Sequence, residues 1–141
     1  MRNYQIYLAG GMKNVNFEVS NAWRKKIIEH FQSDYRLRYT VSFINPNNYF
    51  NFLQKSHKTE REIREFDLLK VRESELIIVN FNDPNSIGTA QELAVAYEYR
   101  IPVIGLNVEN EELHPWLIEC CNRIFTNFDE MLQYVKDFYL T

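Results

Sequence analysis

The chain has 141 residues, of which 45% are hydrophobic and 25% charged, which is typical of a folded globular protein and excludes a disordered one. Its formal net charge is −3, and basic runs such as WRKKIIEH are interleaved with apolar residues at helical spacing, so we interpret them as solvated helix faces and expect no nucleic-acid binding. No stretch approaches the roughly 20 apolar residues of a membrane span. The N-terminal MRNYQIYLAGGM lacks the long apolar region of a signal peptide, and the adjacent Cys120 and Cys121 form no disulfide framework, so we expect a cytoplasmic protein.

Strands and helices are predicted to alternate along residues 1–141, which we treat as one domain. The first half of the chain predicts a strand at Tyr4–Ala9, a helix from about Asn16 to Gln32, a strand at Tyr39–Ile44 and a helix from about Thr59 to Arg72.

The second half predicts a strand at Glu75–Phe81, a helix from about Thr89 to Tyr99, and a strand that begins at Pro102. The strand at Glu75–Phe81 is rich in β-branched residues and too apolar to face water on either side. The segments HPWLIECCN, RIFTN and FDEMLQYVKDFYL then predict a short helix, a short edge strand and a closing helix.

Five strands that alternate with helices predict a doubly wound α/β fold of the flavodoxin or Rossmann kind, with a five-stranded parallel sheet covered on both faces. We expect the strand order 2-1-3-4-5. Ligands in such folds bind outside the carboxyl ends of the strands, where the winding direction reverses. Here that crevice lies between the first and third strands, so the loops LAGGMKN and NDPNSIGT are expected to form the site.

The first of these loops contains the pair Gly10 and Gly11, but neither a GxGxxG pattern nor a phosphate-binding GxxxxGK[ST] pattern. Two glycines at this point let the backbone approach a sugar or phosphate closely, or they serve a tight turn. The spacing leaves both interpretations open.

The second loop places Ser86 and Thr89 near the start of a helix, where free N–H groups and the helix dipole favour an anion. The sequence TAQE also fits a capping box, in which Thr89 caps the helix and Glu92 hydrogen-bonds back to the backbone of Thr89. On spacing alone, Glu92 is therefore either a capping carboxylate or a residue available for chemistry.

Two further side chains are candidates for the same crevice. Asp67 lies on the helix before the central strand with apolar neighbours, which puts it either on a solvated face or at the boundary of the core. Tyr7 lies in the first strand and is either a core residue or, if it points toward the crevice, a hydroxyl that hydrogen-bonds a carboxylate there. The three histidines lack metal-ligand spacing, and we expect no metal and no redox cofactor.

Taken together, these residues resemble the nucleoside 2-deoxyribosyltransferase family. The resemblance covers roughly residues 4 to 106 and is carried by Ile6-Tyr7-Leu8-Ala9-Gly10, Trp23, Asp67, Gly88-Thr89-Ala90-Gln91-Glu92 and RIPVIGL. It implies an enzyme that acts on a glycosidic bond, with Glu92 as the nucleophile. Asp67 then contacts the base and helps to protonate it as it leaves, and Tyr7 positions the nucleophile.

The sequence departs from the family pattern at Ser86, six residues before Glu92. Transferases of free nucleosides usually carry an aspartate there, which holds the 5′-hydroxyl. A serine hydroxyl at a helix N-terminus can donate to a 5′-phosphate, which an aspartate would repel, and the serine resembles the deoxynucleoside 5′-monophosphate N-glycosidases of the same superfamily. An N-cap or turn serine is the alternative. Further substrate contacts are expected from Gly10, Gly11, Gly88 and Thr89.

The resemblance therefore favours an N-glycosidase that cleaves 2′-deoxynucleoside 5′-monophosphates through a covalent deoxyribosyl-Glu92 ester and releases the free base. One alternative is a nucleoside 2-deoxyribosyltransferase that exchanges bases between deoxynucleosides. Another, from a different class, is a non-catalytic nucleotide-sensing domain. A flavodoxin-type electron carrier is disfavoured, because AGGMKN is not the hydroxyl-rich phosphate loop that such a carrier needs after its first strand.

In the family, a residue of the neighbouring subunit closes the 5′ end of the pocket from the loop after the fourth strand. His114 is the polar candidate in that loop here, and this resemblance implies a homodimer, or a higher homo-oligomer, with a shared active site. Trp116, Tyr49 and Phe50 are candidates for stacking on the base, or for packing and interface contacts.

Overall fold

The computed structural model describes residues 1–49 and 57–140. Its strands are β1 (Arg2–Gly10), β2 (Tyr39–Ile44), β3 (Leu76–Asn80), β4 (Val103–Leu106) and β5 (Arg123–Phe125). Its helices are α1 (Phe17–Gln32), α2 (Glu60–Glu73), α3 (Ile87–Glu98), α4 (Pro115–Glu119) and α5 (Phe128–Phe138). A short 3-10 turn at Pro46–Asn48 follows β2.

All five strands pair in parallel in the order β2-β1-β3-β4-β5, which confirms the predicted doubly wound α/β fold. The chain moves from β1 to β2 on one side and then crosses to β3 on the other side of β1. Tyr7 is paired with Ile77 and Gly10 with Asn80, so β1 and β3 end together. The carboxyl ends of these two strands form the crevice at which the winding direction reverses.

Two apolar clusters cover the two faces of the sheet. One contains α1 and α5 side chains such as Ile27 and Met131, packed on Ile6 and Leu8 of β1. The other contains α2 and α3 side chains, and the β-strand residues in it include Tyr7, Ala9, Ile77 and Val79. Successive β1 residues therefore point to opposite faces, as the period of two requires. Tyr7 faces the helices α2 and α3.

The helix starts are fixed by side-chain caps that the sequence supplies. Asn16 accepts a hydrogen bond from the backbone of Glu18 at the start of α1. Thr59 and Glu62 form a full capping box at the start of α2.

Among the described helices, none combines the length and the apolar character that crossing a membrane requires.

Candidate active site

At the crevice, a hydrogen bond joins β1 to α3. The hydroxyl of Tyr7 donates to Oε2 of Glu92, and both side chains are buried, at 0% and 8% exposure. The helix α3 is held against the sheet by Leu93 and Ala96, which are fully buried. Glu92 precedes Leu93, so the packing of α3 on β1 brings its carboxylate onto the Tyr7 hydroxyl.

The surroundings of this pair make ionisation of the carboxyls difficult. Burial raises the pKa of Glu92 to about 8, and the nearby Asp67 charge adds to the increase, while the hydrogen bond from Tyr7 opposes it. Burial also raises the pKa of Asp67 to about 7, opposed by the charge of Arg24. The pKa of Tyr7 lies well above its ordinary value because of burial and the charges of Glu92 and Asp67, so the phenol keeps its proton and donates it.

Asp67 is half-buried on α2 and couples electrostatically to both Tyr7 and Glu92. It therefore lies at the boundary of the core, and the alternative of a solvated face is wrong. The structure thus brings Tyr7, Asp67 and Glu92 together from β1, α2 and α3. Two carboxyls with raised pKa values beside one neutral phenol are suited to acid and nucleophile roles near neutral pH.

A fourth ionisable group near this cluster is Arg24 of α1. Its side chain is 0% exposed, and burial lowers its pKa to about 10, so it stays charged at neutral pH. The interpretation of WRKKIIEH as a solvated helix face is therefore wrong at this residue. A sequence signal existed, because Arg24 lies between Ser20 and Ile27 on the buried stripe of α1.

The start of α3 differs from the capping box predicted from TAQE. Ser86 is the N-cap, and its hydroxyl oxygen accepts a hydrogen bond from the backbone of Thr89 at 3.2 Å. Glu92 lies one and a half turns inside the helix and is bonded to Tyr7 rather than to the backbone of Thr89. The capping role assigned to Thr89 and Glu92 is wrong, because Ser86 provides an equally suitable cap three residues earlier. The N-cap reading of Ser86 is correct.

The other two candidate residues at this helix start differ in exposure. Thr89 is 3% exposed, and its hydroxyl oxygen has no hydrogen-bond partner within the described residues. Gly88 is exposed, and a Cβ placed there would meet no atom within 4 Å. The hydroxyl of Ser86 retains its own proton for donation while its oxygen caps the helix.

The glycine pair at the end of β1 allows close packing, of Gly10 against α1 and of Gly11 against the second loop. A Cβ at Gly11 would lie 2.6 Å from Cβ of Asp83, and a Cβ at Gly10 would lie 3.0 Å from the ring of Trp23. The backbone N–H of Gly11 donates to Oδ1 of Asn82 at 2.8 Å, which joins the two loops of the crevice. Asn82 is not among the site residues predicted from the sequence, although it lies in the predicted second loop.

His114 lies outside the contacts that join Tyr7, Asp67 and Glu92. It is the exposed N-cap of α4, and its Nδ1 accepts a hydrogen bond from the backbone of Trp116 at 3.1 Å. Trp116 is 79% exposed. Of the other stacking candidates, Tyr49 packs against the ring of Phe66 at 5.0 Å between centroids, and Phe50 lies outside the described residues.

A separate groove of about 560 Å³ lies at the opposite end of the strands from the candidate active site. Its lining includes Pro102 and Asn122, which precede β4 and β5, so it lies at the amino ends of those strands. Cys121 also lines it, but burial raises the pKa of that thiol to about 12, which makes it a poor nucleophile.

Within the described part of the chain, no cluster of metal-ligating side chains occurs.

Comparison with solved structures identifies the class of this fold. A conserved protein from Enterococcus faecalis V583 matches with a TM-score of 0.73 and 18% identity, over 95% of this chain and 98% of that chain. The 2-deoxyribosyltransferase from Bacillus psychrosaccharolyticus matches with a TM-score of 0.70 and 16% identity, over 92% of this chain and 91% of that one. The CMP N-glycosidase BcmB from Clostridium botulinum matches with a TM-score of 0.61 and 22% identity, over 96% and 99%.

The chain therefore has the fold of the nucleoside 2-deoxyribosyltransferase structures, and the resemblance inferred from the sequence is confirmed at the level of the fold. No protein-family model matches the chain, and no curated protein matches its sequence significantly.

Proposed function

We propose that the protein is an N-glycosidase that cleaves 2′-deoxynucleoside 5′-monophosphates and releases the free base. The observation that carries the proposal is the buried hydrogen bond from Tyr7 to Glu92, with Asp67 beside it, at the carboxyl end of β1. A transferase and an N-glycosidase both have this fold, which makes glycosidic chemistry the class that the site is suited to.

In the first step, one carboxylate oxygen of Glu92 attacks the anomeric carbon and forms an ester bond, while the bond from that carbon to the base nitrogen breaks. The reacting form has Glu92 ionised and the proton on Asp67; it is the less populated singly ionised form, because the pKa of Glu92 is about 8 and that of Asp67 about 7. In this form the proton of Asp67 passes to the departing base. The Tyr7 hydroxyl holds the other carboxylate oxygen and orients the nucleophile. In the second step, Asp67 accepts a proton from water, whose oxygen attacks the same carbon and releases Glu92, giving deoxyribose 5-phosphate with net retention.

The choice of a 5′-monophosphate depends on Ser86. Its hydroxyl lies at the N-terminus of α3, where it can donate to a phosphate oxygen while it caps the helix. The open space at Gly88 leaves room for the phosphate next to the free amides of the first helical turn. An aspartate in place of Ser86 would put a negative charge next to the phosphate and repel it.

The decisive experiment is a chromatographic assay of the purified protein with the four deoxynucleosides and their 5′-monophosphates, each with and without an acceptor base. Free base released from a monophosphate without acceptor supports the proposal. The Glu92→Gln variant should then be inactive, and Ser86→Asp should lose kcat/KM on monophosphates more strongly than Ser86→Ala does. Release from nucleosides that is independent of a 5′-phosphate would contradict the role of Ser86.

A base-exchanging 2-deoxyribosyltransferase is the second candidate, and one observation favours it. The TM-score to the Bacillus transferase is 0.70, against 0.61 to the CMP N-glycosidase, although sequence identity runs the other way, at 16% against 22%. In that case product appears only when an acceptor base is present, and unphosphorylated nucleosides are the better substrates. A nucleotide-sensing domain would bind a nucleotide without turnover, and Glu92→Gln would leave its binding intact.

We also propose that the active unit is a homodimer in which His114 of the partner subunit closes the 5′ end of the pocket. The exposure of Trp116 next to His114 supports an apolar contact there. Mixing inactive Glu92→Gln with His114→Ala tests the shared site, since a mixed dimer regains one complete site. Failure of the mixture to recover any activity, with subunit exchange verified, would contradict it.

A further inference from the structure

Arg24 is a fully buried cation to which the mechanism above gives no role. Its guanidinium donates to the carbonyls of Leu8 and Gly10 at 3.1 and 3.3 Å, at the carboxyl end of β1. It also donates to the carbonyl of Ser20 at 2.6 Å and to the Ser20 hydroxyl at 2.8 Å. These contacts fix the guanidinium at the edge of the candidate active site.

All of these hydrogen-bond partners are neutral. In the described residues, none of the ion pairs shorter than 4.0 Å includes Arg24. A buried charge without a counter-charge is unfavourable, even when neutral oxygens satisfy its hydrogen bonds. The carboxyls whose negative charge acts on Arg24 are Glu92 first and then Asp67. They come from α3 and α2, the helices that enclose the crevice on its other side.

We propose that Arg24 is a positioning residue whose guanidinium is the counter-charge that allows one of the carboxyls Glu92 and Asp67 to ionise while the other keeps its proton. With one carboxylate, the buried cluster is neutral. With none or two, it carries a net charge that is not compensated. The catalytic meaning of this balance rests on the proposed function, because that mechanism needs one carboxylate nucleophile and one protonated acid.

The competing explanation is purely structural, with Arg24 joining α1 to the end of β1. Ser20 separates the two explanations, because Ser20→Ala removes one hydrogen bond of the guanidinium and leaves its charge in place. Arg24→Met removes the charge and the hydrogen bonds together. Arg24→Gln removes the charge but keeps a side-chain donor, and Arg24→Lys keeps the charge on a different donor.

The test is a carbon-13 NMR titration of the side-chain carboxyls without substrate, with signals assigned from Glu92→Gln and Asp67→Asn. In Arg24→Met and Arg24→Gln, the first of the two carboxyls should ionise about one pH unit higher than in the unmodified protein. Arg24→Lys should stay close to the unmodified protein, and Ser20→Ala should match it even if it unfolds at a lower temperature. If Arg24→Met does not fold, Arg24→Gln and Arg24→Lys still make the comparison.

Two results would overturn the proposal. One is that the carboxyls of Arg24→Gln titrate as they do in the unmodified protein, and the other is that Ser20→Ala shifts their titration as much as Arg24→Gln does. Because the titration uses no substrate, its outcome is separate from the proposed function. A shift in the titration together with no turnover of any nucleotide would retain the charge balance and reject the enzyme. Where turnover is found, the acid limb of kcat/KM against pH should move up with the titration.

Discussion

Replacing Glu92 with glutamine is expected to make the protein more stable at neutral pH, although it removes the proposed nucleophile. Burial raises the pKa of Glu92 from an ordinary 4.5 to about 8, so the folded protein holds a proton that the unfolded chain releases. The stability from this proton is fully present below pH 4.5 and is lost as pH rises toward 8. Between the two pKa values, the free energy of unfolding falls by about 1.4 kcal/mol for each pH unit. The contribution of Glu92 to this decline is therefore about 3 kcal/mol from roughly pH 5 to pH 7.

Glutamine stays neutral and can still accept the hydrogen bond from Tyr7, so the variant should lack this decline. Urea unfolding of both proteins at several pH values between about 5 and 8 measures the difference. Glu98→Gln is the matched control, since Glu98 is exposed on the same helix, and its curve should run parallel to that of the unmodified protein. Parallel curves for Glu92→Gln as well would refute the argument that burial keeps Glu92 protonated.

Three further predictions concern the same crevice. Tyr7→Phe should lower kcat roughly 10- to 100-fold with little change in KM, because the nucleophile loses its orienting donor, and an unchanged kcat would contradict that role. Gly11→Ala should destabilise the protein by about 1 to 3 kcal/mol, since its Cβ would lie 2.6 Å from that of Asp83, whereas Gly88→Ala, with open space around it, should not. Equal melting temperatures of these two variants would contradict the packing argument. Activity should persist in EDTA, and its loss there would contradict the expectation of a metal-free reaction.

The sheet and its switch point could be predicted from the sequence because they depend on patterns of local origin. An apolar strand such as Leu76–Asn80 has few alternatives, and the alternation of strands with helices nearly determines a parallel sheet. The crevice between β1 and β3 then follows from the strand order. The pairing of Tyr7 with Glu92 required the family resemblance, since spacing alone also allowed a capping carboxylate.

The start of α3 and the role of Arg24 could not be predicted in the same way. Ser86 and Thr89 are both good N-caps, and the choice depends on where the Glu92 carboxylate finds a partner in three dimensions. Helical periodicity places Arg24 on the buried stripe of α1, but the β1 carbonyls that its guanidinium bonds there are distant in sequence. Tertiary contacts, rather than local propensity, decided both.

The energetics of Glu92 also bear on the choice between an enzyme and a sensor. A domain that only binds a nucleotide could use glutamine at this position, keep the hydrogen bond with Tyr7, and avoid the loss of stability at neutral pH. The chain instead places two carboxyls where burial opposes their ionisation, with Arg24 as a buried cation near them. Such an arrangement lowers stability and gives a binding protein no advantage that glutamine would not provide. A carboxyl that must ionise to attack and a second one that must hold a proton to donate it do require this arrangement, which favours the enzyme.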